Sequence, residues 1–361
     1  MSDVRILVVG VGNMGVSHAK AYHKLPGFEI CGLTSRSIEA RTDLPAELER
    51  YPRYQDFEQA LAETKPDAVS INTWPNTHAE LALRAMDAGC HVFMEKPIAT
   101  NIEDANAVVA KARAKDRKLV LGYILRHHPS WTKFVEVGQT LGKPLVMRMN
   151  LNQQSSGPAW NWHKNLMESL TPLVDCGVHY VDIMCQMTRA KPVRVHGIGA
   201  HLSAETKVDN YGHLHVVFDD GSVGWYEAGW GPMMSEVAYF VKDVVGPKGC
   251  VSILVPQEGQ TEAKTDAISD SADIDQHTKT NALKLHHAEI DADNHFTRKD
   301  EWINMADEPD HQELCDREQA FFLKAIQENI DLSDWMDDAV NSLRIVLAAD
   351  ESIRTKRAVE L

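Results

Sequence analysis

The chain lacks any apolar run near the ~20 residues that a membrane-spanning helix requires. Met1-Ser-Asp-Val-Arg5 leads into a strand-like segment with no apolar core or small-residue cleavage pattern of a secretory signal. A cytoplasmic location without membrane attachment is the expectation. Cysteine is sparse: six residues (Cys31, Cys90, Cys176, Cys185, Cys250 and Cys315) are scattered with no C-x-x-C pair, which argues against a zinc knuckle or a disulfide framework. They read as reduced, mostly buried thiols. Positive charge is also short, with 37 Lys and Arg against 52 Asp and Glu and a net charge of −15. General affinity for nucleic acid or an anionic membrane is therefore not expected. No internal repeat is visible. His286, His287 and His295 lie near acidic residues but without an H-E-x-x-H spacing, and no metal site is expected.

What is present is enough apolar chain for two cores: 361 residues, 43% of them hydrophobic. Apolar segments at 4–9, 28–33, 68–71, 91–94 and 119–121 alternate with helix-compatible ones such as 77–88 and 101–114. Alternation of this kind predicts parallel strands with crossover helices, an α/β first domain spanning 1–122. Thr77-His-Ala-Glu80 has the form of a capping box, and Ala88-Gly89 that of a helix stop. Over 123–361 the pattern changes. Strand-like segments at 145–151, 193–200, 213–218, 222–228, 237–245 and 250–255 follow one another, and Asp219-Asp220-Gly221 supplies a hairpin turn. The expectation is an α+β second domain with a large, open, mainly antiparallel sheet and a helix over 172–187 on one face. The polar stretch 257–281 reads as a solvated excursion. Helices over 313–329 and 335–354 close the chain, and the last of them are expected to be able to pack back on the first domain.

Two motifs carry chemistry. Gly10-Val-Gly12-Asn13-Met14-Gly15 stands between the first apolar segment and a helix-compatible one, the order a dinucleotide phosphate cradle requires. Gly10 permits the turn, Gly12 lets backbone approach the pyrophosphate, and Gly15 lets helix and strand pack closely. The helix N-terminus then offers unpaired N–H groups to the anion. Glu95-Lys96-Pro97, eighty residues on and after another apolar run, reads as a lysine delivered to that cradle.

Asn72-Thr-Trp-Pro-Asn-Thr-His78, Gly89-Cys-His-Val-Phe-Met-Glu-Lys-Pro97 and Asp175-Cys-Gly-Val-His179-Tyr-Val-Asp182 follow the glycines in order. With Ala348-Ala-Asp-Glu-Ser-Ile353 near the end, they resemble the Gfo/Idh/MocA family of oxidoreductases over essentially the whole chain. The resemblance implies a Rossmann domain and a C-terminal domain whose open sheet forms the interface of a homodimer or homotetramer. It also implies hydride transfer between a nicotinamide cofactor and a hydroxyl of a sugar or cyclitol, with inositol dehydrogenase as the nearest model. The catalytic positions it implies are Lys96, Asp175 and His179. An alcohol gives up hydride only if its hydroxyl proton leaves in step. A free lysine, with a pKa of ~10.4, is a poor base at neutral pH. His179 is therefore read as the proton acceptor, Lys96 as the cation that orients the hydroxyl and stabilises the alkoxide, and Asp175 as an acceptor for substrate hydroxyls. The division between Lys96 and His179 stays open. If the segment is helical, their four-residue spacing sets Asp175 and His179 on one face. Two other readings of the family are a redox-neutral NAD-dependent glycosidase and a non-catalytic cofactor sensor. Ser35-Arg36 argues against the first, the intact Lys96, Asp175 and His179 against the second.

Where NAD-specific Rossmann folds carry an acidic residue, this chain has Ser35-Arg36-Ser37. Loss of a carboxylate and gain of a guanidinium suit a 2′-phosphate, so NADP is favoured over NAD. Stacking of Arg36 on adenine, with either cofactor, is the alternative. Thr73, Trp74, Asn76 and His78, with Glu95 and Lys96, are expected around the nicotinamide half. Core packing competes as the explanation of Trp74. Arg126, His127, His128, Asn152, Trp160, Trp162 and His163 mix amides, indoles and imidazoles of the kind that suit a polyhydroxylated ring. Of these, Arg126, Asn152 and Trp162 join Lys96, Asp175 and His179 as expected substrate contacts. Basic residues are not concentrated there, which favours a neutral sugar or inositol.

Overall fold

The computed structural model describes residues 3–234, 241–254, 280, 282–305 and 307–361. The chain folds into two compact units, Met1–His127 with Pro309–Val340, and His128–Glu308 with Asn341–Leu361. The first unit therefore runs a few residues past Gly122 and takes back a C-terminal segment.

The first unit opens with β1 (Val4–Val9), α1 (Asn13–Lys24), β2 (Phe28–Thr34), β3 (Arg53–Tyr54) and α2 (Phe57–Thr64). It continues through β4 (Ala68–Ile71), α3 (Pro75–Asp87), β5 (His91–Met94), α4 (Ile102–Lys115) and β6 (Leu119–Leu121). All six strands are parallel, in the order β3-β2-β1-β4-β5-β6. Helices cover both faces of such a sheet, which is why β4 and β6 are apolar or buried at every position. The strand order reverses between β1 and β4, and a fold of this kind takes its ligand at the carboxyl ends of those strands.

Helices α2 and α4 start on side-chain caps, where Asp56 and Asn101 accept backbone N–H groups at 2.8 Å. The capping box expected at Thr77 does not form. Helix α3 begins two residues earlier, at Pro75, whose missing N–H is harmless in the first turn, and Thr77 bonds the Trp74 carbonyl at 2.8 Å instead.

The second unit contains α5 (Pro129–Thr140), β7 (Val146–Gln154), α6 (Gly157–Leu166), α7 (Pro172–Asp175), α8 (Gly177–Thr188), β8 (Pro192–Ala200), β9 (Tyr211–Phe218) and β10 (Val223–Gly231). Strands β11 (Lys242–Gly246), β12 (Gly249–Leu254), β13 (Ala282–His287) and β14 (Glu301–Asn304) follow. After them come α9 (His311–Gln327), α10 (Ser333–Thr355) and β15 (Val359–Glu360). The sheet has nine strands in the order β14-β13-β12-β11-β7-β10-β9-β8-β15. Every neighbouring pair is antiparallel except β7 with β10. The hairpin at Asp219-Asp220-Gly221 joins β9 and β10, with Gly221 at φ +82° donating to the Phe218 carbonyl at 3.0 Å. Of the strand expected at 237–245 only the part from 241 is described, and most of the stretch 257–281 lies outside the described residues.

The single helix expected over 172–187 is two pieces. Cys176 serves as the C-cap of α7 and the N-cap of α8. Both faces of the sheet follow the period-2 rule. Met147, Met149, Leu214, Val216 and Tyr226 are buried on the helix-covered face. A registered row of Trp225, Arg148, Asp243, Ser252, Lys284 and Trp302 runs across the other face, where Ile198 and Trp302 are 48% and 61% exposed.

Helix α9 belongs to the first unit. An Asp310/Glu313 capping box starts it, and Phe322 and Ala325 join Ile6, Tyr22, Phe28 and Phe93 in the core of that unit.

Candidate functional site: the carboxyl edge of the first sheet and the Asp175 helix junction

The glycine turn sits where β1 hands over to α1. Gly10 has φ +86° and donates to the Thr34 carbonyl at 2.8 Å, and a Cβ there would overlap the Asn72 carbonyl. At Gly15 a Cβ would overlap the carbonyl of Gly10 itself, so helix and turn can be this close only with glycine. Gly12 differs: it is exposed, its backbone is extended, and a Cβ would meet nothing within 4 Å. It is the N-cap of α1, with no side-chain cap and no acidic residue in the first turn. Exposed Asn13 and half-buried Met14 come next, and their N–H groups lie in the part of a helix that lacks internal partners. An open space at an uncapped, positive helix end fits a pyrophosphate.

Lys96 leaves the carboxyl end of β5, with only β4 between that strand and β1. Its side chain is half-buried, and its backbone N–H donates to Glu95 Oε2 at 3.2 Å. Glu95 is buried, and its Oε1 accepts from His18 Nε2 at 2.7 Å. Burial alone would raise its carboxyl, but the bond from His18, then the His18 ring, Lys96 and His78, leave it below the ordinary value. The Lys96–Pro97 peptide is cis.

Of the residues expected around nicotinamide, Trp74 and Asn76 are exposed, and Thr73 is half-buried with its hydroxyl 2.6 Å from that of Thr77. His78 is different. It is fully buried, with Nδ1 2.8 Å from the Pro97 carbonyl and Nε2 3.0 Å from the Thr73 carbonyl. The ring is enclosed between the two carbonyls within the fold, its single N–H able to donate to one of them, so it is not offered to the cofactor as expected. Burial first of all lowers its proton affinity.

Ser35 and Arg36 follow β2, Ser35 donating its N–H to the Tyr54 carbonyl at 3.1 Å and Arg36 standing exposed. Nearby Arg41, which sequence reasoning missed, donates Nη1 to the Val11 carbonyl of the glycine turn at 2.6 Å and pairs with Asp43 at 2.5 Å. Arg126, expected at the substrate, pairs with Asp338 at 2.9 Å and stacks over Trp335 at 4.3 Å. Both side chains of that pair are less than a tenth exposed, so the guanidinium is held inside its own unit.

In the second unit, Asp175 ends α7 and His179 lies in the first turn of α8, both buried. The backbone stays right-handed helical through Cys176 (φ −81°, ψ −34°), and His179 donates to the Cys176 carbonyl at 3.2 Å. Gly177 makes the junction possible, since a Cβ there would stand 3.0 Å from Val346 and 3.2 Å from Tyr226. His163 is stacked on Trp230 at 4.4 Å and bonded to Ser155 at 2.9 Å. Burial lowers its pKa to about 4, against the opposing pull of Asp175.

Asn152 is corrected by the pleat of β7. It donates to Glu227 at 2.7 Å, whereas its neighbour Gln153 accepts from Trp230 Nε1 at 2.7 Å and lies 3.6 Å from Cys176 Sγ. Successive strand residues point to opposite faces. Gln153, not Asn152, is thus the β7 amide beside the Asp175 junction. The alternation Met147, Met149, Leu151 on the buried face was the signal that could have found it. Trp162 is 45% exposed, its ring 5.2 Å from that of His163.

Comparison with known proteins bears on the family and the fold. Residues 4–123 match the model of an oxidoreductase family with an NAD-binding Rossmann fold, and residues 137–251 match the Gfo/Idh/MocA C-terminal domain. The UDP-N-acetylglucosamine 3-dehydrogenase of Acidithiobacillus ferrooxidans is 31% identical over 62% of this chain and 66% of its own length. The scyllo-inositol 2-dehydrogenase (NAD(+)) of Bacillus subtilis is 25% identical over 70% of this chain and 74% of its own. In structure, GenD2 from gentamicin A biosynthesis, solved in complex with NAD, covers all of this chain with 97% of its own. The TM-score is 0.75 at 20% identity, a likeness of fold.

Proposed function

We propose a reaction from one premise: the chain belongs to the Gfo/Idh/MocA family of oxidoreductases, whose two models match residues 4–123 and 137–251. The reaction is hydride transfer between a nicotinamide cofactor and a ring hydroxyl of a neutral sugar or cyclitol. The observation that carries it is the placement of the open glycine cradle and Lys96 on one carboxyl edge, at the ends of β1 and β5. The name of a similar inositol dehydrogenase supports a neutral cyclitol, and that of a nucleotide-sugar dehydrogenase supports a sugar-ring hydroxyl, though on an anionic carrier.

A bound nicotinamide supplies the hydride acceptor or donor. The chain's own residues do the rest. Gly10, Gly12 and Gly15 with the Asn13 and Met14 amides hold the pyrophosphate, and Thr73, Trp74 and Asn76 border the nicotinamide half. Lys96 orients the reacting hydroxyl and stabilises its developing negative charge. His179 takes the hydroxyl proton and Asp175 accepts from substrate hydroxyls. The exposed indole of Trp162 offers a face for sugar C–H groups. Arg126, His78 and Asn152 are left out of the proposed contacts, for the partners described above.

Ser35 and Arg36 support a preference for NADP, because the end of β2 presents hydroxyls and a guanidinium where a carboxylate would repel a 2′-phosphate. The open face of the second sheet, with Ile198 and Trp302 exposed, supports a homodimer or homotetramer built on it; light scattering on the purified protein tests this. Among the described residues, no helix is long and apolar enough to cross a membrane.

The experiment is reduced-nicotinamide absorbance with NADP and, separately, NAD against inositols, aldoses and nucleotide sugars. Turnover of a sugar or cyclitol that is abolished in Lys96→Ala, with dinucleotide binding retained, is the expected result. Near-normal turnover in that variant removes Lys96 from the mechanism. Silence across the panel despite cofactor binding refutes the dehydrogenase reading.

A further inference from the structure

Helix α1 buries Gly15, His18, Ala19 and Tyr22 on one stripe, and two of those four are polar. Their hydrogen bonds run in one direction. Tyr22 donates its hydroxyl to Gln319 Oε1 at 2.6 Å, and Gln319 Nε2 donates to His18 Nδ1 at 2.9 Å. Nδ1 is then the acceptor of the ring, so Nε2 carries the proton and donates it to Glu95 Oε1 at 2.7 Å. The other carboxylate oxygen accepts the Lys96 backbone N–H. Gln319 reaches this chain of bonds from α9, three hundred residues along the sequence.

The ionisable groups around the pair come from every neighbouring element: Tyr22 on α1, His78 on α3, Lys96 after β5, and Cys315 and Glu318 on α9. Glu318 is 1% exposed, and burial, then Glu95, pushes its carboxyl well above the ordinary value. Burial thus works against a charge on Glu318, while the bond from His18 works in favour of one on Glu95. Packing holds Glu95 where it is: the His18 ring meets Phe93 edge-on at 4.7 Å, and a Cβ on Gly122 would lie 3.2 Å from the Glu95 carboxyl atoms. Nothing in the local sequence around Lys96 calls for a histidine at position 18.

We infer that His18 is a positioning residue for Lys96: the proton it donates seats an anionic Glu95 beside the lysine, and that anion favours the charged form of Lys96. The inference rests on the reading of Lys96 as the cation that handles the substrate hydroxyl. Without the His18 N–H, the buried Glu95 loses its first compensating bond and takes up a proton. Lys96 then has a neutral neighbour in place of a negative one and releases its own proton more readily.

The test reads Lys96 directly and uses no substrate. The whole protein is reductively methylated over a pH series, and the Lys96 peptide is quantified by mass spectrometry. An opposite charge nearby moves a pKa by at least about one unit, so His18→Ala and Glu95→Gln are each expected to raise the free-amine fraction of Lys96 roughly tenfold at a fixed pH. His18→Gln, which keeps a side-chain N–H, is expected to restore most of the wild-type profile. Should His18→Ala not fold, Gly122→Ala presses a methyl against the same carboxylate and is expected to move Lys96 in the same direction. An unchanged Lys96 profile in folded His18→Ala, or in Gly122→Ala when it serves as the substitute, overturns the inference. A shifted profile in a protein that turns over no sugar or cyclitol supports the positioning role and sinks the activity reading. Turnover with an unshifted profile does the reverse.

Discussion

Gly12 and Gly15 belong to one motif, yet the structure gives them opposite duties, and two alanine substitutions separate them. At Gly15 the added methyl overlaps the Gly10 carbonyl, a backbone atom that cannot step aside. Overpacking of this kind costs about 1–3 kcal/mol, and the upper end applies where backbone is hit. For a unit of this size that lowers the melting temperature by roughly 5–10 °C. At Gly12 the methyl enters open space from an extended backbone, so the expected loss of stability is under about 1 kcal/mol, the difference between glycine and alanine at an N-cap. The same methyl stands in front of the uncapped first turn of α1 and keeps a phosphate off those N–H groups. One hydrogen bond to a charged group contributes about 1.5–3 kcal/mol, so NADP binding should weaken about 10- to 100-fold. Differential scanning fluorimetry and calorimetric titration of the dinucleotide read the two effects on the same samples. Wild-type affinity in Gly12→Ala would refute the assignment of the cradle, and a wild-type melting temperature in Gly15→Ala would refute the packing argument.

His127 lies against the rings of Phe321 and Trp335, and burial, then Arg126 and Arg317, lowers its pKa from 6.5 to about 3. A folded-state value below the unfolded one means no penalty above pH 6.5 and a loss of stability that grows as pH falls toward the folded value, at most about 2 kcal/mol at pH 5. His127→Phe should therefore unfold at a higher denaturant concentration than wild type at pH 5 while matching it more closely at pH 8; equal sensitivity to acid in both proteins would contradict this. Arg36→Glu should weaken NADP binding at least about tenfold relative to NAD, since it replaces a charged donor by a repelling carboxylate at the 2′ position. An unchanged ratio would leave Arg36 as an adenine-stacking residue only.

Patterns confined to short stretches are legible in the sequence. Five of the six parallel strands, the glycine turn, the hairpin at Gly221 and the closing helices α9 and α10 each follow from periodicity, β-branched content or a positive-φ glycine within a dozen residues. So does the resemblance carried by Glu95-Lys96-Pro97 and Asp175 to His179. The two-residue β3 (Arg53–Tyr54) carries no such signal. The misses have two causes, one local and one long-range. Pro75 displaces the helix start expected near Thr77, because a residue without an N–H serves best in the first turn. Beside the break at Cys176, Gly177 leaves room for Tyr226 and Val346, neighbours that are distant in sequence.

What the sequence determined by itself is the order of most of the elements and the candidate side chains for the proposed chemistry, since both are written in local spacing. Only the tertiary structure decided what those side chains can do. Arg126 is held by Asp338, His78 is enclosed between two carbonyls, and Asn152 is held on the Glu227 side of its strand, while Gln153 faces Cys176 beside Asp175. His18, an unremarked helix residue in the sequence, bonds the carboxylate next to Lys96 at the end of a chain that starts at Tyr22 on its own helix and passes through Gln319 of α9. Hydrogen bonds and burial depend on which atoms meet, and residues separated by tens or hundreds of positions meet only once the sheets have formed.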